Sequence, residues 1–180
     1  MVLPSRHFSL QHEILLVDAY LKDVLKNRES LMENFLNELL TALRMEELGP
    51  LQIFDAADLR APGWSFLQPI TTSHISGHYF IKPEKHPSIH MDIYSCASVN
   101  WRKAIEIIDK YFQLGEWRGS FIDRRIDDGK RIIWDLNGEG AEVLEEQQIV
   151  FEDEVEIPIE ENEPSMKEIV GKKVASVYNV

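Results

Sequence analysis

Apolar residues recur at two different periods along this chain, and the two alternate. Residues 12–18, HEILLVD, form a short apolar run that predicts a buried strand. Met32, Phe35, Leu36, Leu39, Leu40 and Leu43 then repeat at helical spacing. Ser30 and Glu33 match a capping box, so a helix is predicted over residues 31–46, with Gly49-Pro50 ending it. LQIF at 51–54 predicts a second strand, and GWSFLQPI at 63–70 leads into ITTSHISGHYF at 70–80, which reads as strand. Residues 88–96, SIHMDIYSC, alternate strictly: Ile89, Met91 and Ile93 on one side, His90, Asp92, Tyr94 and Cys96 on the other. A second helix is predicted over 100–112, with Trp101, Ala104, Ile105, Ile108 and Phe112 on one side. SFIDRRI and RIIWDL flank Asp127-Asp128-Gly129, a hairpin turn.

Strand, helix, strands, helix and strands in that order, without internal repeats, predict an α+β fold. The expected form is a two-layer α/β sandwich whose mostly antiparallel sheet is covered by helices on one face. At 180 residues the chain is long enough for one domain with a real core. The net charge of −12 is local. Residues 138–163 hold eleven Asp or Glu and no Lys or Arg; without them 20 of the 31 acidic residues remain against 19 basic ones. The expected organisation is therefore a folded domain over 1–137 and a loosely attached acidic extension over 138–180, whose IVF (149–151) and VEIPI (155–159) runs are able to add a strand.

No basic patch points to nucleic acid, and no apolar stretch approaches the ~18 residues a membrane span needs. MVLPSRHFSLQHE does not read as a signal peptide. The single cysteine excludes an internal disulfide and fits a reducing, cytoplasmic location.

Ser73, His74, Ser76 and His78 fall within six positions. Singly they are ordinary polar strand residues, and Cys96 an ordinary small buried one. Together they suggest two chemistries. His74 with His78, His86 with His90, and Cys96 carry metal-ligating side chains, but a strand holds residues four apart at ~13 Å, too far for one ion without a bend. The second chemistry is self-processing. A serine hydroxyl attacks the carbonyl of the preceding peptide bond, and β-elimination of the resulting ester leaves a pyruvoyl group. That sequence needs a base and hydrogen bonds to a tetrahedral intermediate.

TSHISGH resembles the processing segment of the prokaryotic S-adenosylmethionine decarboxylases, Glu-Ser-His-x-Ser-x-His-Thr-Trp-Pro-Glu. The resemblance, over roughly residues 8–126, implies cleavage between Thr72 and Ser73, with the pyruvoyl group, the enzyme's covalent cofactor, made from Ser73. It implies that His78 moves the proton during processing and that Ser65, in GWS, hydrogen-bonds the intermediate. DIYSC resembles the strand that ends in the family's catalytic cysteine, here Cys96, which protonates the substrate carbon after a Schiff base with the pyruvoyl carbonyl has lost carbon dioxide. No metal is implied. A homodimer is expected, because family members build their sites at a protomer interface.

Thr72 stands where the family has glutamate, Gly77 replaces a β-branched or apolar residue and loosens the strand, and YFIKPEK replaces the Thr-Trp-Pro-Glu run, leaving a longer connection to Cys96. The missing glutamate resembles one that holds substrate ribose; Glu84 is a displaced candidate for its role. The expected activity is thus decarboxylation of S-adenosylmethionine for polyamine (spermidine) synthesis. The alternatives are decarboxylation of a basic amino acid such as ornithine or arginine, or an uncleaved homologue serving as a binding or regulatory subunit.

Overall fold

The structure, a computed structural model, describes residues 11–58, 60–81, 87–125, 130–152 and 175–179. Glu84, His86, the Asp127-Asp128-Gly129 turn and the VEIPI run lie outside them. The described elements are β1 (Glu13–Leu21), α1 (Arg28–Leu43), β2 (Gln52–Asp55), β3 (Gly63–Ile70), β4 (Ser73–Phe80), β5 (Ser88–Ser95), α2 (Trp101–Phe112), β6 (Leu114–Asp123), β7 (Lys130–Glu139), β8 (Glu142–Glu152) and β9 (Ala175–Asn179). The strands form one antiparallel sheet in the order β2-β3-β4-β5-β1-β6-β7-β8-β9.

The period-two pattern decides which face is covered. Leu15, Val17, Ala19 and Leu21 of β1, Trp64 and Phe66 of β3, Ile75 and Tyr79 of β4, and Ile89, Met91 and Ile93 of β5 are buried on one side. The apolar stripes of α1 and α2 close over them, and Phe35 meets Phe112 edge to face at 4.8 Å between ring centroids. Each buried large side chain contributes about 1.5–3 kcal/mol, so this single face supplies most of the stabilisation. The result is the expected α+β sandwich, with helices on one sheet face.

Three local expectations change. Helix α1 begins at Arg28 behind a left-handed Asn27, and Ser30 Oγ donates to the Asn27 carbonyl at 3.1 Å instead of capping a later start. It ends at a left-handed Arg44, whose N–H bonds the carbonyls of Leu40 and Thr41, several residues before Gly49-Pro50. The 70–80 stretch is not one continuous strand with its approach: Ile70 pairs with Ser73 around a two-residue turn, Thr71-Thr72. The boundary expected at 137/138 falls inside β7, and the sheet continues through Glu152. The Trp134 ring packs at a tilt against Phe121, 5.4 Å between centroids, Trp117 Nε1 donates to the Gly140 carbonyl at 2.9 Å, and Arg102 of α2 pairs with Glu146 of β8. Apolar residues on the helix side thus bind the first part of the acidic segment to the domain.

Two buried features bear on the strands that position the site. Gly77 faces inward, and a Cβ there would stand 2.6 Å from the Phe66 ring and 2.7 Å from the His90 carbonyl oxygen. The residue leaves room for Phe66 between the two neighbouring strands. Glu13 is buried beside its cross-strand neighbours Ser95 and Asp123, and accepts the Val99 N–H at 2.6 Å, tying β1 to the loop before α2. Burial holds the Glu13 carboxyl above its ordinary range, opposed by the Val99 hydrogen bond. At Asp123 burial acts in the same direction, but the Arg125 guanidinium and amide outweigh it and the carboxyl lies below its ordinary range.

Gly77→Val is expected to destabilise the domain by about 1–3 kcal/mol through overpacking, read as a lower midpoint in urea; an unchanged midpoint would refute the tight contact. A raised carboxyl keeps its proton longer in the folded chain than in the unfolded one. Glu13 therefore costs stability as pH rises from its ordinary value of 4.5 through the folded value. Glu13→Gln removes that cost and keeps an acceptor for Val99. The melting temperature of Glu13→Gln relative to wild type should rise between pH 4 and pH 7, and a pH-independent difference would contradict the assignment.

Candidate active site

The Thr71-Thr72 turn is held from outside. Thr71 N–H bonds the Glu46 carbonyl at 2.9 Å, and Leu48 N–H bonds the Pro69 carbonyl at 3.0 Å, so the segment after α1 braces the hairpin tip. Two-residue hairpins favour turns whose loop residues have positive φ, which suits glycine and asparagine rather than β-branched threonine. Here the positive φ falls instead on Ser73, at 155°. A serine rarely adopts that conformation, so strain sits at the residue just after the Thr72–Ser73 peptide bond.

The Thr72 carbonyl accepts the Cys96 N–H at 2.9 Å. This contact follows from register: Ser73 pairs with Ser95 across β4 and β5, so the next residue on each strand end falls opposite the turn. Ser95 Oγ donates to Thr72 Oγ1 at 3.1 Å and accepts the Ala97 N–H at 2.9 Å. Ser73 Oγ lies 3.2 Å from His74 Nδ1. Ser73, Thr72 and Cys96 are therefore brought together at one end of the sheet. Cys96 is half-buried, and its Sγ lies 3.9 Å from His12 Nδ1, which is also 3.0 Å from the Tyr94 hydroxyl.

Ser65 and His78 are brought together elsewhere. They are directly paired across β3 and β4, and Ser65 Oγ lies 2.7 Å from His78 Nδ1. His78 is five residues along β4 from Ser73, about 16 Å at the rise of a strand, and its side chain lies on the face that the helices leave open. That face is ordered into cross-strand rows. One runs Ser65, His78, His90, Asp18, Arg118 and Asn137, with His90 Nδ1 2.6 Å from Asp18 Oδ1. Another runs His74, Tyr94, Ile14, Ile122, Ile133 and Ile149, ending on β8, outside the expected domain. A cavity of about 770 Å³ opens at Asp18, Tyr20, His90, Arg118 and Asn137, toward the opposite end of β5 from Cys96.

Among the described residues no group of three or more His, Cys, Asp or Glu is gathered to hold a metal ion. No described helix is long and apolar enough to cross a membrane. The contacts of His74, Ser95 and His12 were not anticipated. His74 stood in the motif, but only its metal-ligating capacity suggested a use. Ser95 and His12 reach the site through pairings between distant parts of the chain, which no local pattern signals.

No curated protein matches the chain in sequence. The family model described as S-adenosylmethionine decarboxylase matches residues 13–125, from the first residue of β1 to just beyond β6, and so includes both the Ser73–Cys96 junction and the Ser65–His78 pair. That match spans more than half of the chain, which belongs to the S-adenosylmethionine decarboxylase family.

Proposed function

We propose that this chain is a self-processing decarboxylase that cuts itself between Thr72 and Ser73 and acts on S-adenosylmethionine, supplying polyamine synthesis. The observation that carries the reading is the Cys96 N–H on the Thr72 carbonyl, 2.9 Å away. For cleavage, Ser73 Oγ adds to the Thr72 carbonyl carbon, and the negative charge collects on the oxygen that this N–H already meets. Collapse breaks the C–N bond and gives an ester; loss of the Ser73 α-proton then expels Thr72 as a carboxylate. Hydrolysis of the remaining dehydroalanine releases ammonia and leaves a pyruvoyl group. The strain of the positive φ at Ser73 favours leaving the peptide geometry. Thr72 takes part through its backbone carbonyl, so its side chain does not forbid the cut.

The residues around Ser73 fit such a group. The junction lies on a pinned turn, beside a thiol and a hydroxyl, at the partly accessible end of the sheet. A pyruvoyl group supplies a carbonyl that combines with an amine and takes up the electrons left by a departing carboxylate. Cys96, whose backbone N–H meets the Thr72 carbonyl, would deliver a proton to the carbon that loses carbon dioxide.

Ser65 and His78 are assigned to the self-cleavage. Their separation of about 16 Å from Ser73 along β4 supports a reading in which two chains supply the two halves of the reaction. We assign their action to the Ser73 of a second copy, in a homodimer formed through the helix-free sheet face. The altered segment after His78 motivates the second substrate class, a basic amino acid such as ornithine or arginine, which has no ribose to hold.

Mixing His78→Ala with Ser73→Ala chains under conditions that exchange subunits should restore cutting of the His78→Ala chain. Hybrids that form without fragments would refute the shared site. With carboxyl-labelled S-adenosylmethionine, ornithine and arginine, carbon dioxide should be released from S-adenosylmethionine. Cys96→Ala should still be cut but lose about 100-fold or more in turnover, the scale of a missing general acid. Release from ornithine or arginine alone would transfer the substrate assignment, and release by Ser73→Ala would refute the scheme.

A further inference from the structure

His12 precedes β1 with φ at 52°, a left-handed conformation uncommon for non-glycine residues, although histidine, asparagine and aspartate adopt it more often than the rest. Backbone hydrogen bonds hold it there from both sides: Gln11 N–H bonds the Cys96 carbonyl at 2.9 Å, and Arg124 N–H bonds the His12 carbonyl at 2.9 Å. The kink turns the imidazole along the end of the sheet. There it stacks on Tyr94, with ring planes 22° apart, and its Nδ1 meets both the Tyr94 hydroxyl at 3.0 Å and Cys96 Sγ at 3.9 Å. Arg124 covers the Tyr94 ring at 5.1 Å, and His74 meets the edge of that ring at 5.7 Å. Among the described titratable side chains at this end of the sheet, His12 alone contacts the sulfur directly and a second proton carrier as well.

We propose that His12 is a positioning residue for Cys96, orienting its thiol and returning a proton to the sulfur after each turnover. The proposal rests on the reading of Cys96 as the proton donor. As carbon dioxide leaves, its bonding electron pair stays on the substrate carbon, and the Cys96 S–H proton moves to that carbon. The thiolate takes a proton from the His12 ring, which is replenished from water, directly or through the Tyr94 hydroxyl, itself reprotonated by water. One solvent proton is consumed for each carbon dioxide lost, and no redox partner is needed.

His12→Asn tests this without disturbing the backbone, since asparagine tolerates the left-handed conformation. The chain has one cysteine, so mass gain on treatment with iodoacetamide reports Cys96 alone. In His12→Asn the alkylation rate at pH 7 should fall about three- to tenfold, and its pH profile should differ from that of the wild type. Tyr94→Phe should give a smaller change of the same kind. In the processed enzyme, kcat should fall about tenfold with KM within a factor of about two, while the self-cleavage rate and melting temperature stay at wild-type values. An unchanged alkylation profile, or an unchanged kcat, overturns the proposal. If the wild type is never cut, the decarboxylase reading fails on its own, and the alkylation profile alone decides whether His12 governs the thiol.

Discussion

One backbone hydrogen bond, from the Cys96 N–H to the Thr72 carbonyl, fixes the geometry on which the rest of the site depends. It exists because β4 and β5 pair with Ser73 opposite Ser95, and that register is in turn enforced by burial. A slip of one residue would turn Ile75, Tyr79, Ile89, Met91 and Ile93 out of the core and put His74, His78, His90 and Tyr94 into it. The hydrophobic layer under α1 and α2 therefore determines, at the far end of two strands, which amide meets which carbonyl. The brace from Glu46 and Leu48 to the hairpin tip adds the last restraint.

The two sides of the sheet divide the work. The covered side provides stability, including the Gly77 gap that admits Phe66 and the Glu13 contact that anchors the loop after Cys96. The uncovered side carries nearly all the titratable chemistry, in rows that run across strands rather than along them. Ser65 and His78 form their own pair on that side, and the apolar row from Ile14 to Ile149 crosses strands both inside and beyond the family-matched region. Strands β7 and β8 thus widen the face on which a second copy would sit.

Much of this was legible along the chain, and the failures have physical causes. The alternation in SIHMDIYSC and the stripe from Met32 to Leu43 identify their buried faces because one period dominates each window. The helix ends differ from those the pattern predicts because Asn27 and Arg44 take left-handed conformations that the Ser30–Glu33 and Gly49-Pro50 signals do not report. A division at 137/138 follows from charge, but β7 and β8 are held by Trp134 against Phe121 of β6, by Trp117 of β6 through the Gly140 carbonyl, and by Arg102 of α2 through Glu146. At the site, Ser73, Cys96, Ser65 and His78 were readable as residues. Their separation into two clusters was not, because distance along a strand becomes visible only once the hairpin at Thr71-Thr72 is placed.

The central claim is that the Thr72–Ser73 bond is built to break. The most direct measurement is the intact mass of the purified wild-type protein under denaturing conditions after incubation at neutral pH. The account predicts two chains, one ending at Thr72 and one beginning with a pyruvoyl group in place of Ser73. A single full-length chain would contradict it, and would leave the polar junction as the binding surface of an uncut family member.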